Sequence, residues 1–217
     1  MENKIKSYPV DEPEKTYTVK EPPVEYGIAG PHHYTYADYL SWTDEQRREL
    51  INGVAYLFSA PARFHAKITS ELLAIFKWIV KKRKGKCEIY HAPFDVRLPK
   101  KGETANEKID TVVQPDICVI CDPSKLDDAG CIGAPDLIVE VQSPSTARYD
   151  MLEKFNLYEQ SGVREYWIVY PGDKGLTVYV LQENGKYDNG TTYVFSGKVP
   201  VGIFDGLEID LKELFDN

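Results

Sequence analysis

Apolar side chains between residues 65 and about 83 recur at steps of three and four, through Ile68, Leu72, Leu73, Ile75, Phe76, Ile79 and Val80. That period predicts an amphipathic helix with a broad buried face. Three strand-like stretches follow, at 87–98, 112–121 and 135–142. The polar loops between them, 100–111 and 123–134, are too short for crossover helices, so the three are expected to pair as an antiparallel meander. Ser143-Pro144-Ser145-Thr146 offers capping residues for a second helix in which Met151, Leu152, Phe155 and Tyr158 lie at helical steps before Gly162. The crossover this helix provides permits the strand at 165–170 to join the sheet in parallel. Upstream, residues 35–42 read as a short helix. Asn52-Gly53, flanked by 49–51 and 54–58, predicts two short strands around a tight turn. Residues 175–217 read as an antiparallel hairpin and a closing segment. The expected class is α/β, an α+β mixed sheet in the order helix, three strands, helix, strand, with hairpins added at both ends.

Residues 1–31 hold five of the fourteen prolines with alternating charge and no period, which predicts an extended arm ahead of one domain over 32–217. Apolar residues at 42% and charged residues at 28% exclude a wholly disordered chain. No apolar run exceeds five residues, so no spanning helix and no membrane partner is expected. The polar start, Met1-Glu2-Asn3-Lys4-Ile5-Lys6, lacks the pattern of a secretory signal, and a cytoplasmic protein is the expectation. A net charge of −8 argues against indiscriminate coating of nucleic acid. One stretch departs from that average. Between 65 and 87, seven basic residues face one acid, Glu71, as either a solvated helix end or a phosphate-contact patch.

Cys118 and Cys121 form a C-x-x-C, but a spacing of three on a strand throws the thiols to opposite faces. Zinc is therefore disfavoured, and buried reduced thiols are expected for all four cysteines.

The chemistry lies in acids where a strand does not normally carry them. In Pro135-Asp136-Leu137-Ile138-Val139-Glu140-Val141-Gln142, Glu140 shares a face with Gln142 in a strand apolar enough to be central. Such a carboxylate is paired, metal-bound or protonated, or else it sits at the exposed end of its strand. Asp116 lies on the preceding strand. Neighbouring strands run roughly 5 Å apart, so both acids reach one dication if the register permits. Asp136 is poorly placed for this, roughly 13 Å from Glu140 by strand rise.

The ordered set Glu49-Leu50-Ile51-Asn52-Gly53, His65, Ala92-Pro93-Phe94-Asp95-Val96-Arg97-Leu98, Val113-Gln114-Pro115-Asp116, 134–141, 143–146 and Lys154-Phe155 resembles the Uma-type family of the PD-(D/E)XK restriction-endonuclease-like superfamily. The resemblance covers about 34–181. It implies hydrolysis of a phosphodiester, most readily of DNA, by water activated on Mg²⁺, with Mn²⁺ as substitute. Asp116 and Glu140 fit the ligand places, and the backbone carbonyl of Val141 is the implied third. The usual lysine two residues past the acid is Gln142 here, and a neutral amide orients water without supplying charge. Lys154, on the following helix, is the position to which the family's lysine is thought to migrate. Its alternative is an i,i+4 pairing with Asp150. Glu49 matches an acid that supplies an outer or second metal ligand, against a plain surface acid after Arg47-Arg48. His65 touches a phosphate or water, or makes only a structural hydrogen bond. Asp95 and Arg97 suit an edge near the site or a cross-strand ion pair. Related restriction-type enzymes often pair to cut both strands, which admits a homodimer, although no motif here specifies one. The rival reading is a nuclease scaffold without turnover, serving as a nucleic-acid-binding or protein-interaction module.

Overall fold

The computed structural model describes residues 32–216 apart from 45, 59, 84, 144–148 and 196. The expected arm over 1–31 and three of the expected capping residues, Pro144, Ser145 and Thr146, lie outside these described residues. Thr35 caps α1 (Tyr36–Ser41) by a reciprocal exchange of hydrogen bonds with Asp38. Asn52 and Gly53 take φ of 50° and 79° and close the hairpin of β1 (Arg47–Ile51) and β2 (Val54–Phe58). Left-handed φ at both central positions is what a tight two-residue turn between right-twisted strands requires. The long helix α2 (Arg63–Arg83) follows, burying Ile68, Leu72, Phe76 and Ile79.

Each of the first two expected strands is cut in two by a proline. The first becomes β3 (Glu88–His91) and β4 (Val96–Arg97) on either side of Pro93. The second becomes β5 (Val112–Val113) and β6 (Ile117–Ile120) on either side of Pro115. Proline has no N–H to give to a ladder, so the chain leaves one sheet at these points and joins another. The second polar loop also differs from expectation, for it carries β7 (Leu126–Asp127) and β8 (Gly130–Ile132), the latter parallel to β4. Next come β9 (Leu137–Val141), a π-helical turn Tyr149–Lys154, α3 (Phe155–Ser161), β10 (Glu165–Tyr170), β11 (Gly175–Val180), β12 (Thr191–Val194), a pair β13 (Lys198–Pro200) and β14 (Glu208–Asp210), and α4 (Leu211–Asp216).

The strands form two six-stranded mixed sheets, ordered β2-β1-β5-β4-β8-β7 and β12-β11-β10-β9-β6-β3. In the second, β3, β6 and β9 pair antiparallel as the expected meander, and β10 joins β9 in parallel after the crossover. One face of this sheet packs Val119, Val139 and Trp167 against α2 and α4. The other packs Cys118, Ile138 and Ile168 under Tyr149, Tyr158 and Tyr166. The expectation of four reduced thiols is corrected, since Cys87 is disulfide-bonded to Cys121 while Cys118 and Cys131 are free and buried. The register Glu88↔Ile120 brings residues 87 and 121 face to face, a pairing that sequence spacing did not reveal. Among the described residues no helix is long and apolar enough to cross a membrane.

Gly130 is needed where β8 meets β4. Its φ is 125°, and an added Cβ would land on the carbonyl oxygen of Asp95, which also accepts the Cys131 N–H at 2.9 Å. Gly130→Ala should lower stability by about 2 kcal/mol, read as a lower urea midpoint at unchanged slope. An unchanged midpoint would show that the β7–β8 hairpin is not part of the cooperative unit.

Candidate active site

The pairing Ile117↔Val139 and Cys118↔Ile138 sets Asp116 across from Glu140 at the next step of the ladder. The backbone ladder ends beside Pro115, and the Asp116 side chain takes over the bonding there. Its Oδ2 accepts the Val141 N–H at 2.7 Å and lies 3.0 Å from His65 Nε2. His65 sits in the first turn of α2, on one side of the sheet. From the other side, Lys154 at the end of the π-helical turn reaches Glu140 Oε1 at 2.8 Å and Glu49 Oε1 at 3.1 Å. Tyr158 also donates to Glu140 Oε1, at 2.8 Å. Glu49 arrives on β1 from the other sheet and is further held by the Gln114 N–H at 2.8 Å and the Tyr149 hydroxyl at 3.1 Å.

These groups are almost wholly out of water, with Glu49 1%, Lys154 3%, Glu140 4% and Asp116 8% exposed. Such burial excludes Glu49 as a surface acid and Lys154 as half of a surface pair. Burial alone would lower the pKa of Lys154, but the charges of Glu140, Glu49 and Asp150 outweigh it and push the ammonium up. For Glu140 burial dominates and pushes the carboxyl up, helped by Asp116, Asp150 and Glu49 and opposed by Lys154. Burial also works against ionised Asp116, yet the His65 hydrogen bond, the His65 charge and the Val141 N–H together hold its pKa below the usual range. His65 is the complement: burial pulls it down, but bonding to Asp116 wins and raises it.

The ensemble is therefore rich in acid. Glu49, Glu140, Asp116 and Asp150 are buried around one ammonium and one imidazole. Asp116 and Glu140 each spend one oxygen on the bonds above, and among the described residues no hydrogen bond takes the other. Two orphaned polar atoms accompany them, His65 Nδ1 and Gln142 Nε2, both buried without a hydrogen-bond partner. Carboxylate oxygens with a backbone carbonyl are the donor set of a hard dication. The Asp116 and Glu140 carboxylates with the Val141 carbonyl fit Mg²⁺ or Mn²⁺ chemically, and the surplus of buried negative charge is what such an ion would neutralise. Among the described residues no three His, Cys, Asp or Glu side chains gather as a metal cluster, so a third protein ligand to such an ion would have to come from the backbone. Glu49 is less suited, because three donors already occupy its two oxygens.

A family model described as "Putative restriction endonuclease", Uma2, matches residues 36–212, which takes in every residue of this centre. The chain belongs to the Uma2 family. A solved structure from Anabaena variabilis, described as a putative nuclease belonging to DUF820, shares the fold at a TM-score of 0.67 and 20% identity, covering 84% of this chain and 98% of its own. An uncharacterised Synechocystis protein, slr1290, is 29% identical over 153 residues, 69% of this chain and 75% of its own length.

In this Uma2 chain the remaining predicted residues are dispersed. Asp95 accepts from the Tyr39 hydroxyl at 3.1 Å and Gln114 Nε2 at 2.9 Å, while Arg97 pairs with Asp127, so the two form no ion pair with each other. Asp136 is taken by the Cys121 N–H and Arg164. Tyr149, Tyr158 and Gln114 are participants that sequence reasoning missed. Met151 and Leu152, expected on the buried helical face, are 49% and 50% exposed. The π-helical turn explains this, since its i→i+5 winding, with more residues per turn, brings Lys154 toward the side of Tyr149 and turns Met151 and Leu152 outward.

Proposed function

We propose that this chain is a Mg²⁺-dependent endonuclease that hydrolyses phosphodiester bonds in DNA, with Mn²⁺ able to substitute. The observation that carries the reading is the convergence of Asp116 and Glu140 at opposed ladder positions, with the buried Lys154 ammonium 2.8 Å from Glu140. Asp116, Glu140 and the Val141 carbonyl would hold the Mg²⁺, which when bound would supply Lewis acidity toward the phosphoryl oxygen and toward a water. The chain's own residues do the rest. Lys154 carries the positive charge that Gln142 lacks, and Glu49 with Tyr149 fixes its position. Gln142 offers an unfilled amide donor to a phosphate or water oxygen, and His65 steadies Asp116 through Nε2 while presenting Nδ1.

Thermal melts in millimolar Mg²⁺ or Mn²⁺ test the proposal. An ion at a hundred times its Kd adds about 2.7 kcal/mol, which is about 5–10 °C for a domain of this size. Asp116→Ala should abolish that shift together with the nicking of supercoiled plasmid. Lys154 is wholly committed to Glu140 and Glu49, a feature that also suits a scaffold without turnover. No metal-linked shift and no nicking by concentrated protein would decide for that second reading.

A further inference from the structure

We propose that the solvent face of α2 is a track for the phosphate backbone of duplex DNA, leading away from the Asp116–Glu140 centre; the identity of the polymer rests on the nuclease reading above. The helix is 21 residues long and begins at the site, where His65 touches Asp116. At 1.5 Å per residue, Lys67 lies about 3 Å and Lys82 about 25 Å along the axis from His65. Arg63, Lys77, Lys81 and Lys82 are exposed and Lys67 half-buried, and Lys86 continues the series just beyond the helix.

What marks these cations is that they stand along one helix without carboxylate counter-ions. Among the described residues, none of the six has a carboxylate within 4.0 Å, whereas Arg48, Arg97, Lys100, Arg164 and Lys186 each have one. In a chain of net charge −8, acids are in surplus, yet the face of α2 carries a single one, Glu71. An unneutralised row of cations on a rigid rod is complementary to a polyanion of regular charge spacing.

Trp78 indicates how the contact is made. It is 59% exposed, but the Lys82 ammonium sits 4.6 Å from its ring centroid. That cation–π contact fixes an otherwise mobile lysine on the track and covers one ring face. The track therefore serves phosphate contact, which is independent of sequence, rather than base readout.

The test is fluorescence anisotropy with the full chain in EDTA, where neither metal nor turnover contributes. The probe is a labelled 30-base-pair mixed-sequence DNA duplex, with an RNA duplex of the same sequence alongside. Wild type should bind with a steep dependence on salt. Lys77→Ser/Lys81→Ser/Lys82→Ser should bind at least tenfold more weakly, with the log–log salt slope reduced by about 3. The same charge removed elsewhere, in Lys100→Ser/Lys108→Ser/Lys198→Ser, should leave both quantities near wild type. All six are surface positions, and unchanged melting temperatures would confirm folding. Equal affinity and slope in wild type and the α2 variant would overturn the track, as would equal losses in the two triple variants or binding confined to the RNA duplex. The two readings fail separately. Binding lost in the α2 variant while wild type never nicks plasmid removes the nuclease and keeps the track; plasmid nicked with α2 binding intact does the reverse.

Discussion

Glu140→Gln should abolish divalent-dependent cleavage, by at least about a thousandfold or roughly 4 kcal/mol of transition-state stabilisation, while the metal-free protein stays folded. The substitution keeps shape and leaves a carbonyl oxygen for the Tyr158 hydroxyl that Glu140 Oε1 now accepts at 2.8 Å. It removes the charge that the proposed dication would need. The loss to folding should stay within about 1 kcal/mol, because Lys154 keeps Glu49 at 3.1 Å and because burial already disfavours the Glu140 anion. Melting curves with and without Mg²⁺ check both halves. The variant should lose the metal-linked rise and keep the metal-free midpoint. A variant that cleaves near the wild-type rate would remove Glu140 from the chemistry.

Local pattern and long-range pairing account for what could and could not be read from the sequence. Asn52-Gly53 and the period of Ile68, Leu72, Phe76 and Ile79 are local signals, and both elements formed as expected. The parallel entry of β10 is one that the length of its crossover permits. Asp116 and Glu140 were recognisable as acids on adjacent strands, because an acid within Leu137-Ile138-Val139-Glu140-Val141 conflicts with the apolar run around it. Pro93 and Pro115 were visible as well, but their effect depends on whether a second sheet is available to receive the chain. The partners of Lys154 were hidden for a similar reason. Glu49 is 105 residues away on the other sheet, and the alignment of Tyr149 with Lys154 needs a π winding that a 3.6-residue period misplaces. The Cys87–Cys121 bond depends on the register of β3 against β6, which sequence spacing does not contain.

Lys154→Ala is expected to have the largest effect on folding, about 3–5 kcal/mol and a drop in melting temperature of roughly 10 °C or more. Among the described residues the ammonium is the one lysine or arginine charge bonded to both Glu49 and Glu140, and its removal leaves two buried carboxylates facing each other. Bringing those anions together uncompensated costs more than the net value of the intact cluster, since the desolvation is no longer offset. Two consequences distinguish this from a mere loss of packing. Lys154→Met, which restores most of the stem, should recover little. Adding Glu140→Gln to Lys154→Ala should recover a good part, with a coupling of about 1–3 kcal/mol in a double-mutant cycle. Millimolar Mg²⁺ should also raise the melting temperature of Lys154→Ala by more than that of wild type, because a dication supplies the missing positive charge in the same cavity. Additive single effects, or a Lys154→Met variant as stable as wild type, would show that the lysine acts through its methylenes rather than its charge.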